Sequence, residues 1–111
     1  MYEELACSYL RKKGYRILDR NVYILRKEVD VVAMDHDTVV FIEVKGRRSG
    51  RFGKPAEAVD RRKRDRITGI AGAYLERKGM RDRACRFDVV SVTVTGGEQT
   101  RVEHIRHAFE A

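Results

Sequence analysis

The chain has 111 residues, with 42% hydrophobic and 37% charged side chains, one proline, two cysteines and no tryptophan. That length and apolar share suit one domain with its own core, and they exclude disorder and a disulfide-stapled scaffold. No apolar run approaches the ~20 residues of a membrane helix, and Met1-Tyr2-Glu3-Glu4 does not read as a leader, so no membrane association and a reduced, cytoplasmic location are expected. The net charge of +7 points to polyanionic partners. Between Gly46 and Arg66, nine basic residues (Arg47, Arg48, Arg51, Lys54, Arg61, Arg62, Lys63, Arg64 and Arg66) face only three acids, so six of the seven excess charges lie in one stretch. Such concentration suits a phosphate-binding surface.

In chain order, Tyr2 to Lys13 reads as a helix. Leu5, Ala6, Tyr9 and Leu10 form its apolar stripe, and Gly14 ends it. Tyr15 to Leu25 reads as one strand, or two short ones broken near Asp19–Asn21. Glu28 to Met34 and Thr38 to Lys45 are β-branched runs around the polar turn Asp35-His36-Asp37, and so form a hairpin. Gly46 to Pro55, with three glycines and the proline, reads as loop. Ala56 to about Lys78 reads as the long helix, with Ile67, Ile70, Ala71 and Tyr74 on one face and Gly79 as its stop. Arg86 to Thr95 is another strand, Gly96-Gly97 a turn, and Thr100 to Arg106 a last strand. The order α-β-β-β-α-β-β makes the long helix a crossover, which places Thr38–Lys45 and Arg86–Thr95 parallel in one mixed α/β sheet flanked by helices.

Strand parity locates the candidate chemistry. Glu43 and Lys45 share one face of their strand, opposite Val40, Ile42 and Val44. Asp30 stands among valines on the partner strand, where an acid is costly unless paired or bound to a cation. Pairing Met34 with Thr38 sets Asp30 beside Ile42, and a small register shift sets it beside Glu43. Two carboxylates converging beside a lysine suit Mg²⁺ or Mn²⁺. Such an ion polarises a phosphate and acidifies water, while Lys45 can orient or deprotonate that water or offset developing charge. Glu3 lies on the stripe of Ala6, Cys7 and Leu10 and can face inward, whereas Glu4 reads as a surface acid. The alternative is a structural ion network at the sheet end.

Asp30 followed by Glu43-Val44-Lys45 resembles the PD-(D/E)xK nuclease signature. With Glu3-x-x-Ala6, Lys13-Gly14-Tyr15, Asn21, Glu28-Val29-Asp30, Phe52-Gly53, Ala56-x-x-Val59-Asp60, Lys63 and Arg86-Phe87-Asp88-Val89-Val90, the chain resembles the YraN-type family of small bacterial endonuclease-like proteins over nearly its whole length. The resemblance implies one restriction-endonuclease-like domain over residues 1–111, similar to Holliday-junction resolvases. It implies Asp30, Glu43, Glu3 and the Val44 carbonyl as metal ligands, with Lys45 as the catalytic lysine. The implied activity is metal-dependent hydrolysis of phosphodiesters, in DNA and in branched or flapped forms of it. The alternative is a non-catalytic nucleic-acid-binding module on the same fold. A homodimer would supply the two nicks that one site cannot. The chain departs from the family pattern at Tyr2 and Lys27, where glycine is usual, and at Gly46, where threonine is frequent.

Among the remaining residues, Glu28 is a supporting acid or a partner for Arg26 or Lys27. Asp88 suits a local polar contact, and His104 and His107 read as surface histidines. Neither cysteine has the surroundings of a nucleophile.

Overall fold

Helix α1 (Tyr2–Lys12) carries Glu3 and Glu4 in its first turn and Arg11 and Lys12 in its last, charges that complement its dipole at both ends. In the computed structural model, which describes residues 2–48, 61–97 and 99–109, the helix stops at Gly14 with φ 96°. The Tyr15 N–H reaches back to the Leu10 carbonyl and the Gly14 N–H to that of Arg11, both at 3.0 Å, a Schellman closure. Helix α2 (Arg61–Arg77) ends in the same way at Gly79, with Met80 bonded to Leu75 and Gly79 to Glu76. The first residues of the expected second helix, 56–60, lie outside the described residues.

Five strands form one sheet in the order β1-β2-β3-β4-β5. They are β1 (Arg16–Ile24), β2 (Lys27–Asp35), β3 (Thr38–Arg48), β4 (Cys85–Val94) and β5 (Thr100–Phe109). All neighbours are antiparallel except β3 and β4, which run parallel from Val39–Cys85 to Arg48–Val94, as the crossover requires. The observed order is the expected one.

Of the two readings of the first strand, the unbroken one holds: it runs through Asp19–Asn21, absorbing its irregularity as a bulge between Ile17 and Asp19 and a left-handed Asn21 at φ 51°. One boundary differs from expectation. Gly46, Arg47 and Arg48 belong to β3 rather than to a loop, because their backbone pairs with the largely buried end of β4.

The helices cover opposite faces. Ile70, Ala71, Tyr74 and Leu75 of α2 pack on Val32, Met34, Val39, Phe41 and Phe87. Ala6, Cys7 and Leu10 of α1 pack on Val31, Ala33, Val40, Ile42, Val90 and Val92. Each fully buried valine, leucine or isoleucine contributes about 1.5–3 kcal/mol of transfer free energy. Because the strands are covered on both sides, they read as nearly continuous apolar runs.

Candidate active site

The β2–β3 ladder pairs Asp35 with Thr38 and Val31 with Ile42. Continued by one residue, that register sets Asp30 opposite Glu43, so the two-residue turn His36–Asp37 fixes the meeting of the two acids. Beyond Val31 the ladder gives way to a side chain: the Val44 N–H donates to Asp30 Oδ2 at 2.8 Å. Val44 is thus bound to the candidate acid by its own backbone.

Asp30 reaches that N–H because the hairpin turns over at its level. Val31 packs on the α1 side and Val29 on the α2 side, although residues two apart on a regular strand share a face. The facing strand does the same. Arg20, paired with Val31, meets Glu4 of α1 at 3.1 Å, whereas Val22, paired with Val29, packs on the α2 side. Between Arg20 and Val22 lies Asn21 in the left-handed region that asparagine tolerates. Asp30 sits at the corresponding point of β2, where it can sense both faces of the sheet.

Its electrostatics reflect that position. Burial pushes the Asp30 carboxyl above its usual range, and the charges of Glu3, Glu43 and Glu28 push the same way, against the Val44 N–H. Glu3 acts from α1 and Glu43 from β3. Both are half-buried, while Glu4 is exposed, as the helical stripe predicts. Lys45 is half-buried on β3, in register with Ser91 of β4. Of the expected set, Glu3, Glu43 and Val44 thus come within reach of Asp30 at one end of β2 and β3, and Lys45 follows two residues beyond Glu43 on β3. A cluster of acids around a half-buried carboxyl is chemistry that a hard cation would relieve. Among the described residues, no three His, Cys, Asp or Glu side chains form a preassembled metal shell. The donor set instead fits the Mg²⁺ pattern of one or two carboxylates completed by water and substrate oxygens.

Of the expected basic surface, Arg47 is half-buried on β3, and Arg48 ends that strand. Arg61, Arg62, Lys63, Arg64 and Arg66 lie on the first turns of α2. The side chains of Arg48 and of these five, and the whole of Arg51 and Lys54, lie outside the described residues.

A second polar cluster lies on the α1 face and corrects the reading of His104. Its side chain is 2% exposed, because its strand mate Val102 directs that alternation inward. His104 Nε2 lies 2.7 Å from Asp88 Oδ2, and its ring meets Tyr9 and Tyr15 edge-on. Arg86 donates to both Asp88 oxygens, to Asp35 at 2.8 Å and to the Tyr15 hydroxyl at 2.5 Å. Asp88 therefore makes the local polar contact expected of it. The alternation of Val102 and His104 on one face of β5 is the sequence signal for the buried histidine. The Cys7 and Cys85 thiols are pushed up by burial, which suits inert packing. Among the described residues, no helix is long and apolar enough to cross a membrane.

Comparison with known proteins places this arrangement in a family. Residues 2–92 match the model described as "Uncharacterised protein family UPF0102". A UPF0102 protein of Geobacter sulfurreducens is 47% identical over 97% of this chain and 84% of its own. One of Syntrophomonas wolfei is 47% identical over 96% and 92%, and one of Symbiobacterium thermophilum is 42% identical over 98% and 92%. With matches of that extent and identity, the chain belongs to the UPF0102 family, the YraN-type group that its motifs resemble.

Proposed function

We propose that this protein is a metal-dependent nuclease that hydrolyses phosphodiester bonds, with DNA, including branched or flapped DNA, as its substrate. The observation that carries the reading is the convergence of Glu3 and Glu43 on Asp30, two strand positions before Lys45 on β3, with Asp30 shifted toward protonation by burial and by its acidic neighbours. Asp30 and Glu43 would hold Mg²⁺ or Mn²⁺, with the Val44 carbonyl and Glu3 completing the protein's share. When bound, the ion supplies positive charge to a phosphate oxygen and lowers the pKa of water.

The chain's own residues do the rest. The Val44 N–H fixes the Asp30 carboxylate, so its orientation is set before substrate arrives. Lys45, two residues from Glu43 on the same strand, can hold or move a proton at the attacking water or offset charge on the phosphoryl oxygens. The basic residues from Arg47 to Arg66 would hold the strand by its phosphates. A single site nicks one strand, so a homodimer would be needed to cut two.

The test is incubation of the protein with labelled single-stranded, duplex, flapped and four-way-junction DNA in Mg²⁺, Mn²⁺ or EDTA. Metal-dependent cleavage lost in Glu43→Gln is the expected result. Full cleavage by Asp30→Asn would overturn the site assignment. A second reading, a non-catalytic nucleic-acid-binding module, is favoured by one observation: Asp30 already has a structural role as acceptor for Val44. Binding without cleavage in every condition would select it.

A further inference from the structure

The α2 side of the sheet changes character along β3, β4 and β5. Its apolar part holds Val39, Phe41 and Phe87 under α2. Strand alternation fixes what lies beyond. Val44, Val90, Val92 and Val102 pack on the α1 side, and Tyr2 of α1 fills the place of a side chain on Gly46. Lys45, Arg47, Ser91, Thr93, Arg101 and Glu103 therefore stand on the α2 side. The register aligns them in two rows across the three strands. Lys45, Ser91 and Glu103 form one row, and Arg47, Thr93 and Arg101 form the next.

The two rows differ in charge. The first sets a lysine against an acid. The second has an arginine at each end and no acid, and like charges on one sheet face repel unless an anion lies between them. Among the described residues Arg101 forms no ion pair, although Glu103 is two residues away on the same strand and face. Arg101 is exposed and Arg47 half-buried. Thr93 between them is 4% exposed, so the row offers a ligand its cations rather than its hydroxyl. Two strand spacings, about 9.5 Å, separate the backbones of Arg47 and Arg101. Two arginine side chains can close that gap over one phosphate.

The position of the row names the ligand. Arg47 is two residues beyond Lys45 on one strand and one face. Two strand residues span about 6.6 Å, comparable with the step between successive phosphates of an extended nucleic-acid strand. With one phosphate at Lys45, its neighbour falls at Arg47 and Arg101.

We infer that Arg47 and Arg101 hold the phosphate next to the one that is cut, so that the bound strand follows the end of β3 and is gripped across β4. The inference rests on the reading of the acid cluster as a nuclease site and deepens it. It gives a phosphate-binding role to Arg101, which lies outside the basic stretch from Gly46 to Arg66.

The test measures binding of the full chain, in EDTA, to a fluorescent single-stranded oligonucleotide over a series of salt concentrations. Wild type is compared with Arg101→Ala, Arg101→Lys and Arg81→Ala, the last an exposed arginine beyond the end of α2. Each phosphate contact on a single strand adds about 0.7 to the slope of log affinity against log salt. Arg101→Ala should flatten the slope by that amount, whereas Arg101→Lys and Arg81→Ala should keep it. An unchanged slope in Arg101→Ala would overturn the subsite and leave the nuclease reading standing. Equal flattening by Arg81→Ala would mark an effect of overall charge and overturn it too. In Mn²⁺, a neutral methylphosphonate next to the cut phosphate, on one side only, should slow cleavage by wild type and not by Arg101→Ala. Equal slowing of both would overturn the placement. No cleavage by wild type would overturn the nuclease reading and the adjacency together, while the salt slope still decides whether Arg101 holds a phosphate. If wild type did not bind the oligonucleotide, the nucleic-acid reading would fail and the subsite with it.

Discussion

The ring of Tyr2, at the start of α1, occupies the place that a side chain on Gly46 of β3 would take. These are two of the three positions at which the chain departs from the family pattern, one gaining bulk and the other losing it. In contact, they read as a compensated pair. They also join the helix turn that bears Glu3 to the strand that bears Lys45.

Gly46→Thr should therefore collide with Tyr2. Overpacking of this kind costs about 1–3 kcal/mol, read as a lower urea midpoint. The double variant Tyr2→Gly/Gly46→Thr should recover most of the loss. Additive losses in the double-mutant cycle would show that the two residues do not share one space.

Asn21 should be replaceable by glycine and not by valine. Glycine enters the left-handed region freely, whereas a β-branched residue there costs about 1–2 kcal/mol. Asn21→Val should also loosen Asp30, seen as faster hydrogen exchange at the Val44 amide. Unchanged Val44 protection would separate the turnover of the hairpin from the placement of the acid.

Asp30 should lower stability at neutral pH in the absence of metal. Its folded carboxyl binds protons more readily than the unfolded one, so the penalty is full above the raised value and is relieved as pH falls through it. Asp30→Asn keeps an acceptor for Val44 and removes the charge. Its Tm in EDTA at neutral pH should exceed wild type by on the order of a few degrees. Mn²⁺ should raise the Tm of wild type and not of the variant. A lower Tm for Asp30→Asn in EDTA would contradict this account.

Asp35 has the opposite sign. Burial pushes its carboxyl up, but the hydrogen bond and charge of Arg86, with Arg106, outweigh burial and hold it below the usual value of 3.8. Its contribution is complete above that value and is lost as pH falls through the lower folded one. Arg86→Met leaves Asp88 and Asp35 without their buried cation, at a cost of about 3–5 kcal/mol, and should shrink the Asp35 part of the acid limb to what Arg106 sustains. Acid titrations of the two proteins, followed by circular dichroism, give the comparison.

Local rules reached far into this fold. The β-branched runs, the stop glycines at 14 and 79 and the crossover length specify the element order. Counting outward from a turn at Asp35–Asp37 brings Asp30 only to Ile42; the observed pairing of Asp35 with Thr38 supplies the one-residue shift that brings it to Glu43. What escaped depends on contacts between elements. Gly46 looked like loop because nothing near it in sequence announces Tyr2. His104 looked exposed because its partners, Asp88 and Tyr15, lie 16 and 89 residues upstream. Asn21 was visible as a motif residue, but its left-handed backbone has meaning only opposite Asp30.

Among the described residues the sheet contains a single parallel pairing, between β3 and β4, and this has a consequence for how the chain assembles. On either side of that seam, β1-β2-β3 and β4-β5 are meanders that short turns can zip independently. The seam must instead close over the long stretch between Arg48 and Cys85, so it should govern the folding rate. Arg86 sits on the late-arriving strand, and its guanidinium reaches back to Tyr15 and Asp35 on the first meander. It is the latch that records that the two halves have met.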